Sequence, residues 1–310
     1  EKNAYEKMYP ASTTKLLTAI LAIENCNLTD KVTITNEMVS KIPSGYTIAN
    51  LQVGETLTVE QLLNTLLIPS ANDSGYALAI HISGSIENFS KLMNEKANQI
   101  GCTNSNFTNP SGIHNENHYS TSKDMALIAL YALKYPVIAE IGNTKLYSLP
   151  NIKGLTRNFE TTNTLLKKEE KYFYEFATGL KTGFTQPAGS CIIATAKKDN
   201  MEFLVVVLGA PEATNEYNYR DMDCKTLFEY GFTNYENIIK LDNHFFNFFK
   251  NIIISENLIK TVFKISSIFA VLFFTYTVLN KKKLNNKSKK KFSEKENTNL
   301  DEFNFRCSFW

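Results

Sequence analysis

The sequence predicts an α+β fold with an antiparallel sheet flanked by helices, a mainly helical region beside it, and a transmembrane helix near the C-terminus. Three observations support this. Apolar residues recur at helical spacing through the first part of the chain. Two β-type runs joined by a polar turn come later. A long apolar segment, followed directly by lysines, lies near the end.

Four segments have the spacing of amphipathic helices, with apolar residues every three or four positions. One opens with Thr58 followed three residues later by Gln61, the pattern of a capping box. Pro136 is expected to end the helical region. The predicted helices are Ser12–Asn25, Thr58–Leu67, Ile86–Ile100 and Ser122–Leu133.

Two strands are predicted at Cys191–Ala196 and Phe203–Leu208. The polar residues between them, Lys197–Asn200, have the length and composition of a hairpin loop. Helices first and a strand pair last indicate an antiparallel sheet with a helical region beside it.

The segment 261–279 is apolar apart from Lys264 and a few hydroxyl groups. At about 1.5 Å per residue its length is roughly 28 Å, close to the thickness of a bilayer's hydrocarbon core. A lysine cluster follows, as is typical of cytoplasmic flanks. We therefore expect a single membrane span, with residues before 261 outside the cell and the basic tail 280–310 inside. The juxtamembrane segment 236–260 reads equally as an interfacial helix or as a core helix of the domain.

Charge and cysteine content exclude several function classes. The net charge is +2, and much of the positive charge lies in the tail, so no nucleic-acid partner is expected. The five cysteines form no CxxC pair, and buried free thiols are the expected state. His114 and His118 flank a glutamate, but in a Gly- and Asn-containing loop rather than in a helical HExxH pattern. We expect no metal and no organic cofactor.

Three short motifs occur in order along the chain: SxxK at Ser12–Lys15, SxN at Ser70–Asn72 and KTG at Lys181–Gly183. Each motif alone is weak, and SxxK recurs at Ser120–Lys123. Only the first set combines a serine at a helix start, a loop SxN and a KTG beside a strand.

The chemistry of this set is coherent. A serine hydroxyl is a poor nucleophile unless a base takes its proton. Ser12 and Lys15 are neighbours on one helix face. Burial, the positive end of the helix and a second amine at Lys181 all disfavour the charged form of Lys15, which would make it a base. Ser70 can pass a proton to the leaving amine, and Asn72 can hold Lys15 and a substrate amide.

With these motifs the sequence resembles the low-molecular-mass penicillin-binding proteins, the serine D-alanyl-D-alanine carboxypeptidases related to serine β-lactamases. The resemblance implies a β-lactamase/transpeptidase-like fold and an extracellular catalytic domain over 1–235. The matching stretches are Tyr9–Ile20, Leu66–Ala79, Phe107–Ile128 and Gly179–Ala196.

The resemblance also implies residue roles. Ser12 would be the acylated nucleophile, Lys15 its general base and Ser70 a proton relay. Lys181 and Thr182 would bind the terminal carboxylate of the substrate. The N–H groups of Ser12 and Phe184 would form the oxyanion hole. The implied substrate-binding residues are Asn72, Lys181, Thr182, Gly183, Phe184 and, as a candidate second carboxylate contact, Arg220.

We therefore expect an enzyme that removes the terminal D-Ala from peptidoglycan stem peptides through a Ser12 acyl-enzyme and that β-lactams inhibit. One alternative is a serine β-lactamase, which needs a further carboxylate to activate water. Glu140 and Glu160 lie in the relevant segment without a recognisable pattern. Another alternative is a non-catalytic, wall-binding membrane protein of the same fold.

This chain departs from the family's pattern at its start. The family has a strand or two before the SxxK helix, whereas this chain reaches Ser12 almost directly, so we expect that edge of the sheet to be missing. The chain begins at Glu1 rather than at Met, and we expect a processed or truncated N-terminus.

Overall fold

The computed structural model describes residues 2–214 and 216–234. The chain divides into two units, Glu1–Thr233 and Asn234–Trp310, and nearly all described residues belong to the first. The predicted juxtamembrane segment 236–260, membrane span 261–279 and basic tail 280–310 lie outside the described residues.

The helical part is organised around a central helix, α1 (Lys15–Asn25), which follows a 3₁₀ turn over Ala11–Thr14. All residues of α1 from Lys15 to Ala22 are buried, as expected of a helix that is covered on every side. The helices packed against it are α3 (Val59–Leu67), α4 (Asn72–Ser83), α5 (Ile86–Ile100) and α6 (Ser122–Ala132). Two further helices lie outside this group: α2 (Asn36–Ser40) packs against α4, and α7 (Pro136–Asn143) packs against α3 and the sheet.

The predicted helix signals are confirmed where they are strong. Thr58 and Gln61 form the reciprocal capping box at the start of α3. The helix predicted from apolar spacing at Ile86–Ile100 is confirmed as α5, and the structure adds its caps: the Ser85 hydroxyl accepts from Asn88 N, and Gly101 follows in the left-handed region.

Over residues 2–214 and 216–234 the strands form three separate antiparallel groups. The predicted hairpin lies in the largest, a three-stranded sheet in the order β5–β6–β7. Two small pairs, β1–β2 and β3–β4, lie elsewhere. The strands are β1 (Lys31–Thr33), β2 (Thr56–Thr58), β3 (Leu146–Pro150), β4 (Thr156–Glu160), β5 (Ala177–Thr185), β6 (Gly189–Lys198) and β7 (Met201–Ala210).

The central strand β6 has apolar residues packed on both of its faces. Ile193 belongs to the large core of the helical part. Its neighbours Ile192 and Ala194 belong to a second core, which includes Phe228 and Phe232. Because successive side chains of a strand point to opposite faces, the sheet separates the helical part from the helical residues 219–234.

The structure corrects three details of the sequence interpretation. Asn72 does not lie in a loop but opens α4, which has no amphipathic pattern because its residues from Asn72 to Ala79 are all buried. Pro136 does not end the helical region but starts α7, since a proline at the first helical position loses no hydrogen bond. Cys26 is only partly buried, although Cys102, Cys191 and Cys224 are buried free thiols as predicted.

The described residues before Ser12 contain no strand. Met8 forms a single antiparallel bridge with Ser120, through hydrogen bonds in both directions. Within the described ranges no single helix has the length and apolarity of a membrane span. Helices α6 and α7 reach both only as a pair, with a bend of 108° between them.

Candidate active site

The Ser12 hydroxyl and the Lys15 amine meet where the 3₁₀ turn passes into α1. Lys15 Nζ lies 2.8 Å from Ser12 Oγ. The 3₁₀ geometry brings side chains three residues apart into register, so the serine and lysine project together. Ala11, just before the serine, has a φ of +45°, a strained conformation for a residue with a Cβ. The turn thus places the hydroxyl directly against the amine.

Lys15 is fully buried, and its amine has three partners. Besides Ser12 Oγ, these are Asn72 Oδ1 at 2.9 Å and the Ser111 carbonyl oxygen at 2.9 Å. Burial holds the pKa of Lys15 well below its ordinary value, and the charge of Lys181 lowers it further, against an opposing effect of Asp73. The structure therefore favours a neutral amine at this position.

A neutral amine has two N–H groups and one lone pair. Asn72 Oδ1 and Ser111 O can only accept hydrogen bonds, so they take the two N–H groups. The orientation of the Asn72 amide is fixed because its Nδ2 donates to Thr47 O at 2.8 Å. In that neutral form the lone pair of Lys15 would face Ser12 Oγ, 2.8 Å away, whose hydroxyl can donate, and this is the arrangement that a general base requires.

The SxN segment links α3 to α4. Ser70 has a φ of +69° and is 8% exposed. Among the described residues it makes no hydrogen bond with Lys15, which contacts Asn72 instead. Next to Asn72, the Asp73 carboxylate accepts from Ala49 N and Leu51 N, and its burial raises the pKa of this carboxyl. These bonds fasten the segment to residues 47–51.

The KTG motif lies on β5, along the side of Ser12. A Cβ at Gly183 would lie 2.8 Å from the Ser12 nitrogen, so only glycine lets the strand pass this close. Lys181 is buried, and its Nζ donates to Thr182 O at 2.9 Å. Burial and then the charge of Arg220 lower the pKa of Lys181 to about 7. Phe184, next along the strand, is 41% exposed.

Arg220 supplies a second cation beside Lys181. Its Nε donates to the Asp221 carboxylate at 3.1 Å. Asp221 is fully buried and also accepts from Asn218 Nδ2 at 2.8 Å and from the Thr164 hydroxyl. The guanidinium is thereby held in one orientation. Two cationic side chains so close together form a site suited to an anion such as a carboxylate.

Sequence reasoning missed two contacts of this site. The Ser111 carbonyl, a partner of Lys15, is a backbone atom, and the Asn-Pro-Ser-Gly turn signal predicts a loop without showing what it touches. The Thr162 hydroxyl bonds to the Thr182 hydroxyl, and no motif marks it.

His114 and His118 do not gather a metal-type ligand set. No cluster of three or more His, Cys, Asp or Glu residues suited to a metal occurs in the described part of the chain. His118 Nε2 lies 2.9 Å from Thr14 Oγ1, and its ring packs edge-on against Phe107. Burial, with a smaller effect from His114, lowers the pKa of His118 to about 3.

Comparison with known families identifies this constellation. The D-alanyl-D-alanine carboxypeptidase family matches residues 1–212, which include all three motifs. The chain belongs to this family. The resemblance predicted from the order of the three motifs is therefore confirmed at the level of the family.

Curated members of the D-alanyl-D-alanine carboxypeptidase family are similar over most of this chain. D-alanyl-D-alanine carboxypeptidase DacF of Bacillus subtilis is 36% identical over 240 residues, which cover 76% of this chain and 59% of that protein. The D-alanyl-D-alanine carboxypeptidase of Streptomyces strain K15 is 34% identical over 250 residues, covering 74% and 81%. The chain thus spans about three fifths of the length of the Bacillus relative.

Solved structures show the same fold for this family member. The crystal structure of the Streptomyces K15 DD-transpeptidase has a TM-score of 0.67 and 30% sequence identity, covering 74% of this chain and 90% of that one. The predicted α+β fold of the transpeptidase type is confirmed for the described residues.

Proposed function

We propose that this chain is a serine D,D-carboxypeptidase that removes the terminal D-Ala from peptidoglycan stem peptides. The observation that carries the proposal is the orientation of Lys15. Its buried amine lies 2.8 Å from Ser12 Oγ and donates to two pure acceptors, Asn72 Oδ1 and Ser111 O, so a neutral Lys15 would turn its lone pair to the serine hydroxyl. The cation pair Lys181 and Arg220 beside it matches a substrate that ends in a free carboxylate.

In the acylation step, Ser12 Oγ attacks the carbonyl carbon of the penultimate D-Ala, and its proton moves to the Lys15 amine. The negative charge on the carbonyl oxygen is stabilised by the N–H groups of Ser12 and Phe184. The C–N bond then breaks. The proton passes from Lys15 by way of Ser70 to the departing nitrogen, a route that requires Ser70 and Lys15 to approach each other when substrate binds, because the two are not hydrogen-bonded in the free protein. D-Ala then leaves with an uncharged amine.

In the deacylation step, water attacks the ester carbonyl and gives a proton to Lys15. When the ester bond breaks, the Ser12 oxygen recovers that proton, and the shortened peptide is released. No step needs a metal or an organic cofactor. A β-lactam enters the same first step, but its nitrogen stays attached to the acyl group after the ring opens, so it remains beside the ester and hinders water.

The arrangement of carboxylates favours a peptidase over a β-lactamase. A fast lactamase needs a carboxylate that activates water beside the acyl-enzyme. Glu140 and Glu160 are both exposed, and Glu160 forms an ion pair with Lys167 at 2.8 Å. Among the described residues no carboxylate accepts a hydrogen bond from Ser12, Lys15 or Ser70. The non-catalytic alternative is disfavoured because, in the described part of the chain, Lys15 is buried against Ser12 Oγ and forms no ion pair with a carboxylate.

The proposal includes the location of the enzyme. Segment 261–279 and the lysines after it support a single membrane span, with the catalytic domain on the outer face of a bacterial membrane and the tail 280–310 in the cytoplasm. This location would bring the site to peptidoglycan. Protease accessibility of a tag placed after Trp310, in intact and in permeabilised cells, tests the orientation.

Labelling with a fluorescent penicillin tests the activity. We expect covalent labelling of the wild type and none of Ser12→Ala. The matched control is Ser120→Ala, which removes the serine of another SxxK sequence within the described residues and should keep its label. A second assay compares D-Ala release from a peptide ending in D-Ala-D-Ala with penicillin turnover. Labelling that survives in Ser12→Ala, or penicillin turnover faster than D-Ala release, would overturn the proposal.

A further inference from the structure

We propose that residues 108–118 form a positioning loop for the general base, and that Asn109, His118 and Thr14 hold the Ser111 carbonyl where it accepts a hydrogen bond from Lys15. The inference rests on the proposed function, because it assigns these residues a role in acylation by Ser12. They touch neither substrate nor the reacting atoms, and they act through the orientation of the Lys15 amine.

The positioning loop is fastened to one face of the nucleophile helix by buried hydrogen bonds. Thr14 Oγ1 lies 2.9 Å from His118 Nε2, and Thr18 Oγ1 donates to Pro110 O at 2.6 Å. Lys15, between these threonines in sequence, donates to Ser111 O at 2.9 Å. The hydrogen bond of Lys15 is therefore one of three that join the start of the nucleophile helix to the positioning loop.

Asn109 determines the shape of the turn that presents the carbonyl. Its Oδ1 accepts from the N–H groups of Ser111, Gly112 and Ile113, at 3.1, 2.8 and 3.1 Å. Its Nδ2 donates to Ile113 O at 2.9 Å. Because the N–H groups of the turn are satisfied from inside the loop, the Ser111 carbonyl is directed outward to Lys15.

Gly112 brings the loop against the nucleophile turn itself. It has a φ of +76°, and a Cβ on it would lie 1.8 Å from Ala11 O. Any larger residue would push the loop away from the turn, so the contact is specified by the glycine. The loop thus abuts the residue before Ser12 and also reaches the lysine after it.

His118 connects the far end of the loop to Thr14. Its Nδ1 accepts from Thr108 N at 3.1 Å, so Nε2 carries the hydrogen and donates to the Thr14 hydroxyl. The ring is almost completely buried, and its lowered pKa keeps it neutral at physiological pH. It therefore anchors the loop without placing another cation beside Lys15.

Loss of this anchor has a specific consequence for catalysis. If Ser111 O moved away, a neutral Lys15 would keep one fixed N–H acceptor instead of two, and its lone pair would no longer be held on Ser12. The chemical step of acylation would slow. Binding of the β-lactam carboxylate at Lys181 and Arg220 would be unaffected, because these residues lie outside the loop.

The test measures acylation by a chromogenic cephalosporin in stopped-flow, which separates the acylation rate constant from the dissociation constant of the initial complex. Thr14→Val removes the hydroxyl that bonds His118 at nearly constant volume. Thr14→Ser keeps the hydroxyl and serves as the rescue variant. Thr65→Val is the matched control, since it removes a buried hydroxyl pair with Ser74, 2.7 Å apart, between α3 and α4. Asn109→Ala is a second loop variant.

We expect the acylation rate constant of Thr14→Val to fall about tenfold, with the dissociation constant changed less than about twofold. Thr14→Ser should recover most of the rate, Asn109→Ala should behave like Thr14→Val, and Thr65→Val should lose thermal stability without losing rate. Equal rates in Thr14→Val and Thr65→Val, or a loss confined to the dissociation constant, would overturn this inference while the wild type still acylates. A wild type that does not acylate would overturn the proposed function as well.

Discussion

The Thr162 hydroxyl is hydrogen-bonded to the Thr182 hydroxyl of the KTG motif, with 2.5 Å between the two oxygens. Thr162 N also donates to Ile68 O at 3.3 Å, so this residue lies between the end of α3 and strand β5. When Thr162 donates its hydrogen to Thr182 Oγ1, the Thr182 hydrogen is free to be donated to a substrate carboxylate.

Thr162→Val should therefore weaken binding of peptides that end in a carboxylate. We expect KM to rise about three- to tenfold, less than the tenfold or more that goes with losing a direct hydrogen bond to a charged group, because Thr162 acts through Thr182. Kinetics with a D-Ala-D-Ala peptide and with its C-terminal amide measure the effect, which should be absent for the amide. The control is Thr178→Val, which removes a similar hydroxyl pair with Thr195 near the start of β5. Equal effects on both peptides would contradict this role.

The efficiency of acylation should rise with pH along an acid limb and fall again along an alkaline limb. The rate rises with pH as Lys15 loses its proton, and apparent affinity for the carboxylate falls as pH passes the Lys181 pKa of about 7. The charge of Arg220 lowers that pKa, so Arg220→Gln should move the alkaline limb to higher pH. Arg220→Lys keeps the positive charge and should leave the limb in place. The ratio of the acylation rate constant to the dissociation constant, measured across pH, decides between these outcomes.

The buried Lys181 ammonium should lower the free energy of unfolding of the protein. Its pKa is lower in the folded chain than in the unfolded one, so the destabilisation is complete below about pH 7 and fades as the pH rises towards the unfolded value. Lys181→Met should raise Tm by about 5 °C at low pH, less at alkaline pH, and abolish activity. The exposed Lys197→Met is the control, with little change in Tm. A Tm increase independent of pH would contradict the argument.

The ion pair between Arg157 and Glu55 should be a main support of residues 47–51. The two side chains are only 12% and 4% exposed, and Arg157 also donates to Ala49 O and Asn50 O. Removing one partner leaves a buried charge, so Arg157→Met should cost about 3–5 kcal/mol in urea unfolding. The double variant with Glu55→Met should recover part of that loss. Additive losses in the double variant would show that the two side chains are not coupled.

Secondary structure could be predicted from the sequence where it depends on residues close together along the chain. The bounds of α5 were predicted from the helical spacing of its apolar residues, and the hairpin β6–β7 from two apolar runs and a polar turn. The order of the three motifs was enough to propose Ser12, Lys15, Asn72 and Lys181, of which the structure joins the first three by hydrogen bonds.

Features that depend on tertiary contacts could not be predicted. Helix α4 is buried on all sides, so its sequence has no polar face to reveal a helical period. The Ser111 carbonyl reaches Lys15 because a loop far along the chain folds back onto α1, and backbone atoms carry no sequence signature. The membrane span and the assigned roles of the site residues stay predictions.

The nucleophile and its base lie at the start of the central helix, whereas Lys181 lies on the sheet. A penicillin that is esterified to Ser12 and held at its carboxylate by Lys181 would link these two layers, through a covalent bond at one end and an ionic contact at the other. Inhibition would then also stabilise the protein against unfolding. Cells treated with penicillin would therefore contain a longer-lived and more protease-resistant enzyme than untreated cells.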